Sequence, residues 1–68
     1  MGIARDTLIE ILKENGGSMD VIELSKKLHS RTQLGFGVET MDVVQALVKR
    51  KKVLFDEENE IVSLITQE

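Results

Sequence analysis

The last third of the chain most constrains the fold, because two short apolar runs flank a strongly polar segment. The first run is Val53-Leu54-Phe55, and the second occupies residues 61–65. The five polar residues between them are Asp56, Glu57, Glu58, Asn59 and Glu60, and all except Asn59 carry carboxylates. Two short apolar runs around a polar tip predict a β-hairpin. Asn59 tolerates left-handed backbone and therefore suits the turn.

The chain is short, and its core must come from apolar side chains alone. It has 68 residues, of which 41% are hydrophobic, and it contains no cysteine. At this size only about 60% of the unfolded chain's surface can be buried. We therefore expect one domain over residues 1–68, without disulfides and with hardly any room for an enclosed active site.

The charge balance argues against a domain built mainly to neutralise phosphates. Nine Lys and Arg stand against twelve Asp and Glu, which gives a net charge of −3. No apolar run approaches the roughly 18 residues that span a bilayer, and the N-terminus lacks the long apolar run of a signal peptide. The expectation is an intracellular protein with no membrane partner, in the nucleus of a eukaryote or the cytoplasm of a prokaryote.

Two helices and a short strand are predicted before residue 30. The first helix covers residues 6–15, with Asp6 as N-cap and Gly16-Gly17 where it stops. The second begins after Asp20, which can cap it, while Glu23 can return the hydrogen bond in a capping box. Ser18 and Met19, between these helices, are a candidate for a very short strand that pairs with the hairpin.

A loop over residues 29–39 precedes a third helix over about residues 40–51. His29 is expected on the surface, following the second helix. Thr40 is the predicted cap of the third helix, and its apolar stripe consists of Met41, Val44, Leu47 and Val48. Across the chain, ten apolar residues are predicted to supply most of the core: Leu8, Ile11, Leu12, Leu24, Leu28, Val44, Leu47, Val48, Phe55 and Ile65.

The order helix, short strand, helix, helix, hairpin resembles the winged-helix family over nearly the whole chain. The segments GSMDVIEL (17–24), ETMDVVQAL (39–47) and EIVSLI (60–65) look like the C-terminal winged helix of minichromosome-maintenance replicative helicases. They are also similar to the C-terminal module of the middle subunit of replication protein A. The resemblance implies an α+β fold, a winged helix-turn-helix with a three-helix core and a C-terminal two-stranded β-wing. It also implies a place in DNA replication or a related nucleic-acid machine.

The first functional hypothesis is a non-catalytic module that docks a protein partner through the third helix and an acidic wing. The exposed face of the third helix begins with anionic and polar side chains, and the wing tip adds carboxylates. Such groups repel a polyanion but complement a basic protein surface. The predicted protein-binding residues are Glu39, Asp42, Gln45, Asp56, Glu57, Glu58 and Glu60.

The alternative is a DNA-binding winged helix-turn-helix of the transcription-regulator type. The third helix would then enter the major groove while cations contact the backbone. The candidate nucleic-acid-binding residues are Lys26, Lys27, Arg31, Lys49, Arg50, Lys51 and Lys52. Cations at the end of a helix also complement its dipole, which is the simpler explanation of the run at residues 49–52. DNA is therefore expected as a weak or secondary partner, and self-association through the wing edge or first helix stays open.

Enzymatic chemistry and cofactors are not indicated. The carboxylates of the tip lack the alternating ligands and central glycine of a calcium loop, so no metal site is predicted. His29 has no cysteine, second histidine or nucleophile pattern around it. Gly35-Phe36-Gly37 lacks the remaining glycines of a dinucleotide fingerprint and the lysine of a phosphate loop. We expect no enzyme activity, no cofactor and no small-molecule substrate in this chain; a helicase parent would carry its ATPase elsewhere.

Overall fold

The chain folds as α+β, with helices packed on one face of a small antiparallel sheet. The computed structural model describes residues 3–32 and 38–65. Within these ranges the elements are, in chain order, α1 Ile3–Glu14, β1 Ser18–Asp20, α2 Val21–Thr32, α3 Val38–Lys49, β2 Val53–Asp56 and β3 Ile61–Leu64. The sheet has the strand order β1-β3-β2, so the last strand lies between the other two.

The predicted hairpin and the predicted short strand are both confirmed. β2 pairs with β3 in antiparallel register, with Phe55 opposite Val62. β1 pairs with the other edge of β3, and Met19 faces Val62. The Leu64 N–H donates to the Gly17 carbonyl at 2.6 Å, which extends this pairing by one residue. The segment between α1 and α2 is thereby tied to the hairpin.

The core forms where three helices and the inner sheet face meet. Nine apolar side chains are buried, namely Leu8, Ile11, Leu12, Leu24, Leu28, Val44, Leu47, Val53 and Val62. The first seven were predicted. Val53 and Val62 were missed, and Phe55 packs against the core while only partly buried. Ile65 is also only partly buried, and Val48 was wrongly predicted as core, since it is 38% exposed.

The start of α2 matches the prediction, but the starts of α1 and α3 do not. Asp20 Oδ1 accepts hydrogen bonds from the backbone N–H of Ile22 at 2.7 Å and Glu23 at 3.4 Å, which confirms it as the N-cap. Glu23 lies beside Lys26 rather than completing a capping box. Asp6 and Thr40 were wrongly predicted as caps. Each lies inside its helix, because α1 begins at Ile3 and α3 at Val38.

Both α1 and α3 end in the same hydrogen-bond pattern, the Schellman motif. In α1 the Gly17 N–H donates to the Leu12 carbonyl and the Gly16 N–H to that of Lys13, with Gly16 at φ 84°. In α3 the Lys52 N–H donates to the Leu47 carbonyl at 2.9 Å, and Lys51 occupies the left-handed position at φ 62°. α3 therefore stops at Lys49, two residues before its predicted end.

The interval between α2 and α3 is shorter than the predicted loop over residues 29–39. α2 continues to Thr32, whose hydroxyl donates to the Leu28 carbonyl at 2.7 Å, so His29 is a half-buried helical residue rather than one that follows the helix. Residues 35–37, which carry the glycines considered above, lie outside the described residues. No described helix has both the length and the apolar character needed to cross a membrane.

Candidate functional site

The exposed face of α3 carries Asp42, Gln45 and Lys49. The buried face is centred on Thr40, Val44 and Leu47, and residues on a helix turn by about 100° each. Asp42, Gln45 and Lys49 therefore lie opposite the core, and all three are exposed. Glu39 has its backbone in the first turn of α3, and its side chain lies outside the described part.

A groove joins this helix face to the hairpin. Its volume is about 260 Å³, and α3 supplies one wall with Gln45, Val48 and Lys49. The other wall comes from Phe55 at the end of β2 and Glu57 in the tip. Two of the predicted docking residues, Gln45 and Glu57, thus line the same groove. Val48 and Phe55 give the groove its apolar lining because neither is fully buried in the core.

Asp56 organises the hairpin tip. Its Oδ1 accepts hydrogen bonds from the backbone N–H of Glu58 at 3.0 Å and of Asn59 at 3.2 Å. The Asn59 side-chain amide donates to the other carboxylate oxygen at 3.0 Å. These hydrogen bonds, that of the Asn59 side chain foremost, lower the pKa of the Asp56 carboxyl below its ordinary value of 3.8. The carboxylate stabilises the turn while it remains exposed to solvent.

The other tip carboxylates belong to Glu57, Glu58 and Glu60, and all three residues are exposed. Glu60, rather than Asn59, takes the left-handed backbone position, at φ 57°. The Glu60 carbonyl accepts a hydrogen bond from the Val21 N–H at 2.8 Å, which joins the tip to the first turn of α2. The acidic tip, residues 56–60, is therefore held in place at both ends rather than being a loose loop.

The basic residues fall into two separate groups. Lys49, Arg50, Lys51 and Lys52 are exposed at the end of α3 and in the turn before β2. Lys26, Lys27 and Arg31 line a different cleft, along the exposed side of α2, together with Glu23 and Ser30. Only Lys49 of the seven lines the groove between α3 and the hairpin. The candidate nucleic-acid-binding residues thus belong to two different elements.

Two of the α2 cations have carboxylate partners. Arg31 makes two hydrogen bonds to Glu14 at the end of α1, and the shorter, from Nη2 to Oε1, is 2.6 Å. The hydrogen bonds from Arg31, more than the attraction of its charge, lower the pKa of Glu14 below its ordinary value of 4.5. Lys26 Nζ lies 3.8 Å from Glu23 Oε2. The α2 cleft therefore presents a mixture of charges rather than a basic surface.

Sequence reasoning missed three apolar contributors to the molecular surface. Both Val48 and Phe55 were predicted as core, but Val48 is exposed, Phe55 is only partly buried against the core, and both line the groove. Leu54 is 61% exposed because it points away from the core, between the inward-facing Val53 and Phe55. The period of two in a strand was the signal that would have identified Leu54.

Within the described residues, no cluster of three or more His, Asp or Glu side chains is arranged to hold a metal ion. No protein-family model, curated protein or solved structure matches the chain.

Proposed function

We propose that this chain is a winged-helix interaction module that docks a basic segment of a protein partner between α3 and the acidic wing. In this assignment the wing is the β2–β3 hairpin, and the module is a non-catalytic part of a DNA-replication or related nucleic-acid machine. The order of elements and the resemblance of residues 17–24, 39–47 and 60–65 support that setting. The groove shared by Gln45, Val48, Lys49, Phe55 and Glu57 is the observation that carries the docking role.

The chemistry of the groove favours a peptide over a polyanion. The apolar lining from Val48 and Phe55 suits a hydrophobic anchor, which commonly supplies much of the energy at an interface. Lys49 and Glu57 line the same groove. Asp42 on α3 and the carboxylates of residues 56–60 are exposed on the two elements that form it, so they are available to lysines or arginines beside the partner's anchor. DNA placed in the same position would bring its phosphates against these carboxylates.

A pair of designed peptides tests this assignment. One is an amphipathic helix with leucine anchors and flanking lysines, and the other has every lysine replaced by glutamate. Titration of the ¹⁵N-labelled chain should give saturable shifts at Gln45, Val48, Phe55 and Glu57 with the basic peptide only. Glu57→Lys should weaken this binding, whereas Glu10→Lys, at an exposed site on α1, should not. Equal binding of both peptides, or shifts confined to α1 and α2, would refute the assignment.

The alternative function is DNA binding, and the exposure of all four cations at residues 49–52 favours it. Those cations would contact the phosphate backbone while α3 entered the major groove. The leading part of the exposed α3 face nevertheless carries Asp42, and Gln45 is neutral. The experiment that separates DNA binding from peptide docking is a DNA titration at two salt concentrations.

A further inference from the structure

β2 forms one edge of the sheet and exposes a large apolar side chain there. In the order β1-β3-β2, only one side of β2 pairs with another strand. Leu54, at the middle of β2, is 61% exposed, more than Ile22 or Val48. An edge strand with an exposed apolar residue invites pairing with another strand.

Along β2, residues whose backbone bonds to β3 alternate with residues whose backbone faces the open edge, as pairing with a further strand requires. The Ile65 N–H donates to the Lys52 carbonyl at 3.0 Å, so residues 52 and 65 form a hydrogen-bonded pair. Hydrogen-bonded and non-bonded pairs alternate in an antiparallel ladder. Leu54 and Asp56 therefore direct their N–H and C=O groups towards β3, and Val53 and Phe55 direct theirs to the open edge. Within the described residues, no hydrogen bond from another element covers that edge.

Charges of opposite sign lie at equal distances on the two sides of Leu54 in the sequence. Reading outwards, Leu54 is flanked by Val53 and Phe55, then by Lys52 and Asp56. Beyond these stand the cations of residues 50 and 51 on one side and Glu57 and Glu58 on the other. A second copy running antiparallel about Leu54 would place Lys52 opposite Asp56 and bring the cations of residues 50 and 51 towards the carboxylates of residues 57 and 58. Lys52, Leu54 and Asp56 share the outer sheet face, so these pairs form on one surface.

We propose that two copies of this chain associate through their β2 edges, antiparallel and in the register that sets Leu54 opposite Leu54 of the second copy. The backbone of Val53 in each copy then bonds that of Phe55 in the other, and Lys52 faces Asp56. A shift of two residues in either direction opposes Leu54 to Lys52 or to Asp56 and loses the contact between the two Leu54 side chains. Only the central register satisfies both the apolar contact and the charge pairs.

The dimer is weak, because the paired strands contain only four residues each. The contact lies below the size of stable interfaces, and we expect dissociation constants on the order of 0.1–1 mM. The Asp56 carboxylate already accepts hydrogen bonds within the tip, so its attraction to Lys52 of the second copy is mainly long-range. This association does not depend on the proposed peptide docking, and it would form without any partner protein.

A single-cysteine variant tests the register directly. The chain has no cysteine, so Leu54→Cys introduces one thiol. Residues opposite each other in a non-bonded antiparallel pair have Cα atoms about 4.5 Å apart, within disulfide range. Under mild oxidation Leu54→Cys should form a disulfide-linked dimer at least tenfold faster than Ile22→Cys, its matched control at 56% exposure. High salt should slow this reaction, because the charge pairs are exposed. Equal rates for the two variants would overturn the proposal.

Sedimentation equilibrium of the cysteine-free chain gives an independent measurement. Weight-average mass should rise towards the dimer at concentrations up to about 1 mM. Leu54→Lys should keep the chain monomeric, since an edge lysine opposes strand pairing, while Ile22→Lys should associate as the unsubstituted chain does. A monomer throughout that range, or equal association of both variants, would refute the β2 dimer and leave the peptide-docking proposal standing.

Discussion

Lys51 occupies a backbone position that normally belongs to glycine. Its φ of 62° lies in the left-handed region at the end of α3, where Gly16 stands in the equivalent place after α1. A residue with a Cβ pays a steric cost there of roughly 1 kcal/mol. Lys51→Gly should therefore raise the free energy of unfolding by about 0.5–1 kcal/mol, measured by urea denaturation.

The same substitution at the neighbouring residue, Lys52→Gly, is the control for Lys51→Gly. Lys52 is likewise exposed but does not adopt a positive φ, so Lys52→Gly adds only freedom to the unfolded chain. It should lower the free energy of unfolding by about 0.5–1 kcal/mol. If both substitutions destabilise the protein equally, the left-handed position of Lys51 is not a source of strain.

Asp56 makes the hairpin tip sensitive to acid. Its pKa is lowered in the folded chain, so the ionised carboxylate contributes stability that is present above pH 3.8 and is lost as pH falls through the lower folded value. Hydrogen-exchange protection of the Asn59 amide should fall over that pH range. Asp56→Asn should remove most of this pH dependence. An Asp56 titration midpoint at or above 3.8 in NMR would contradict the turn geometry.

At the scale of elements, α2 and α3 are joined by a buried polar contact. Ser25 Oγ and Thr40 Oγ1 lie 3.0 Å apart, and both residues are buried. A coupling energy of about 0.5–1.5 kcal/mol is expected from a double-mutant cycle of Ser25→Ala and Thr40→Val. Thermal or urea denaturation of the four chains measures it. Strict additivity of the two single changes would show that the hydroxyl contact contributes no net stability.

The elements themselves were largely predictable because local signals agree with the fold. Gly16 and Gly17 end α1, Asp20 caps α2, and the polar tip separates β2 from β3, each through contacts within a few residues. The burial on α3 was less predictable. Met41 and Val48 share an apolar stripe with Val44, but α3 packs against β2 and α1 with Thr40 buried instead. Val48, about 80° from Thr40 around the helix, is left at the rim.

At the scale of the whole molecule, the separation of charges is the feature on which the proposed docking role depends. The acidic residues are evident in the sequence, which also predicted that Asp42, Gln45 and the tip are exposed. It could not predict that Gln45 and Glu57 border one groove, because that proximity depends on how α3 packs beside β2. Nor could it show that Arg31 is paired with Glu14, since the two residues lie on different helices.

The exposed carboxylates of α3 and the hairpin tip, and the two separate groups of basic residues, support the central claim, which is that the α3–hairpin surface receives a protein rather than DNA. Fluorescence titration of a labelled duplex at about 50 mM and about 200 mM salt tests it most directly. We predict dissociation constants weaker than about 10 µM at the higher salt, with no preference between duplex sequences. Nanomolar affinity for a defined duplex would contradict the claim. Neutralisation of about four phosphates would make that affinity fall steeply with salt.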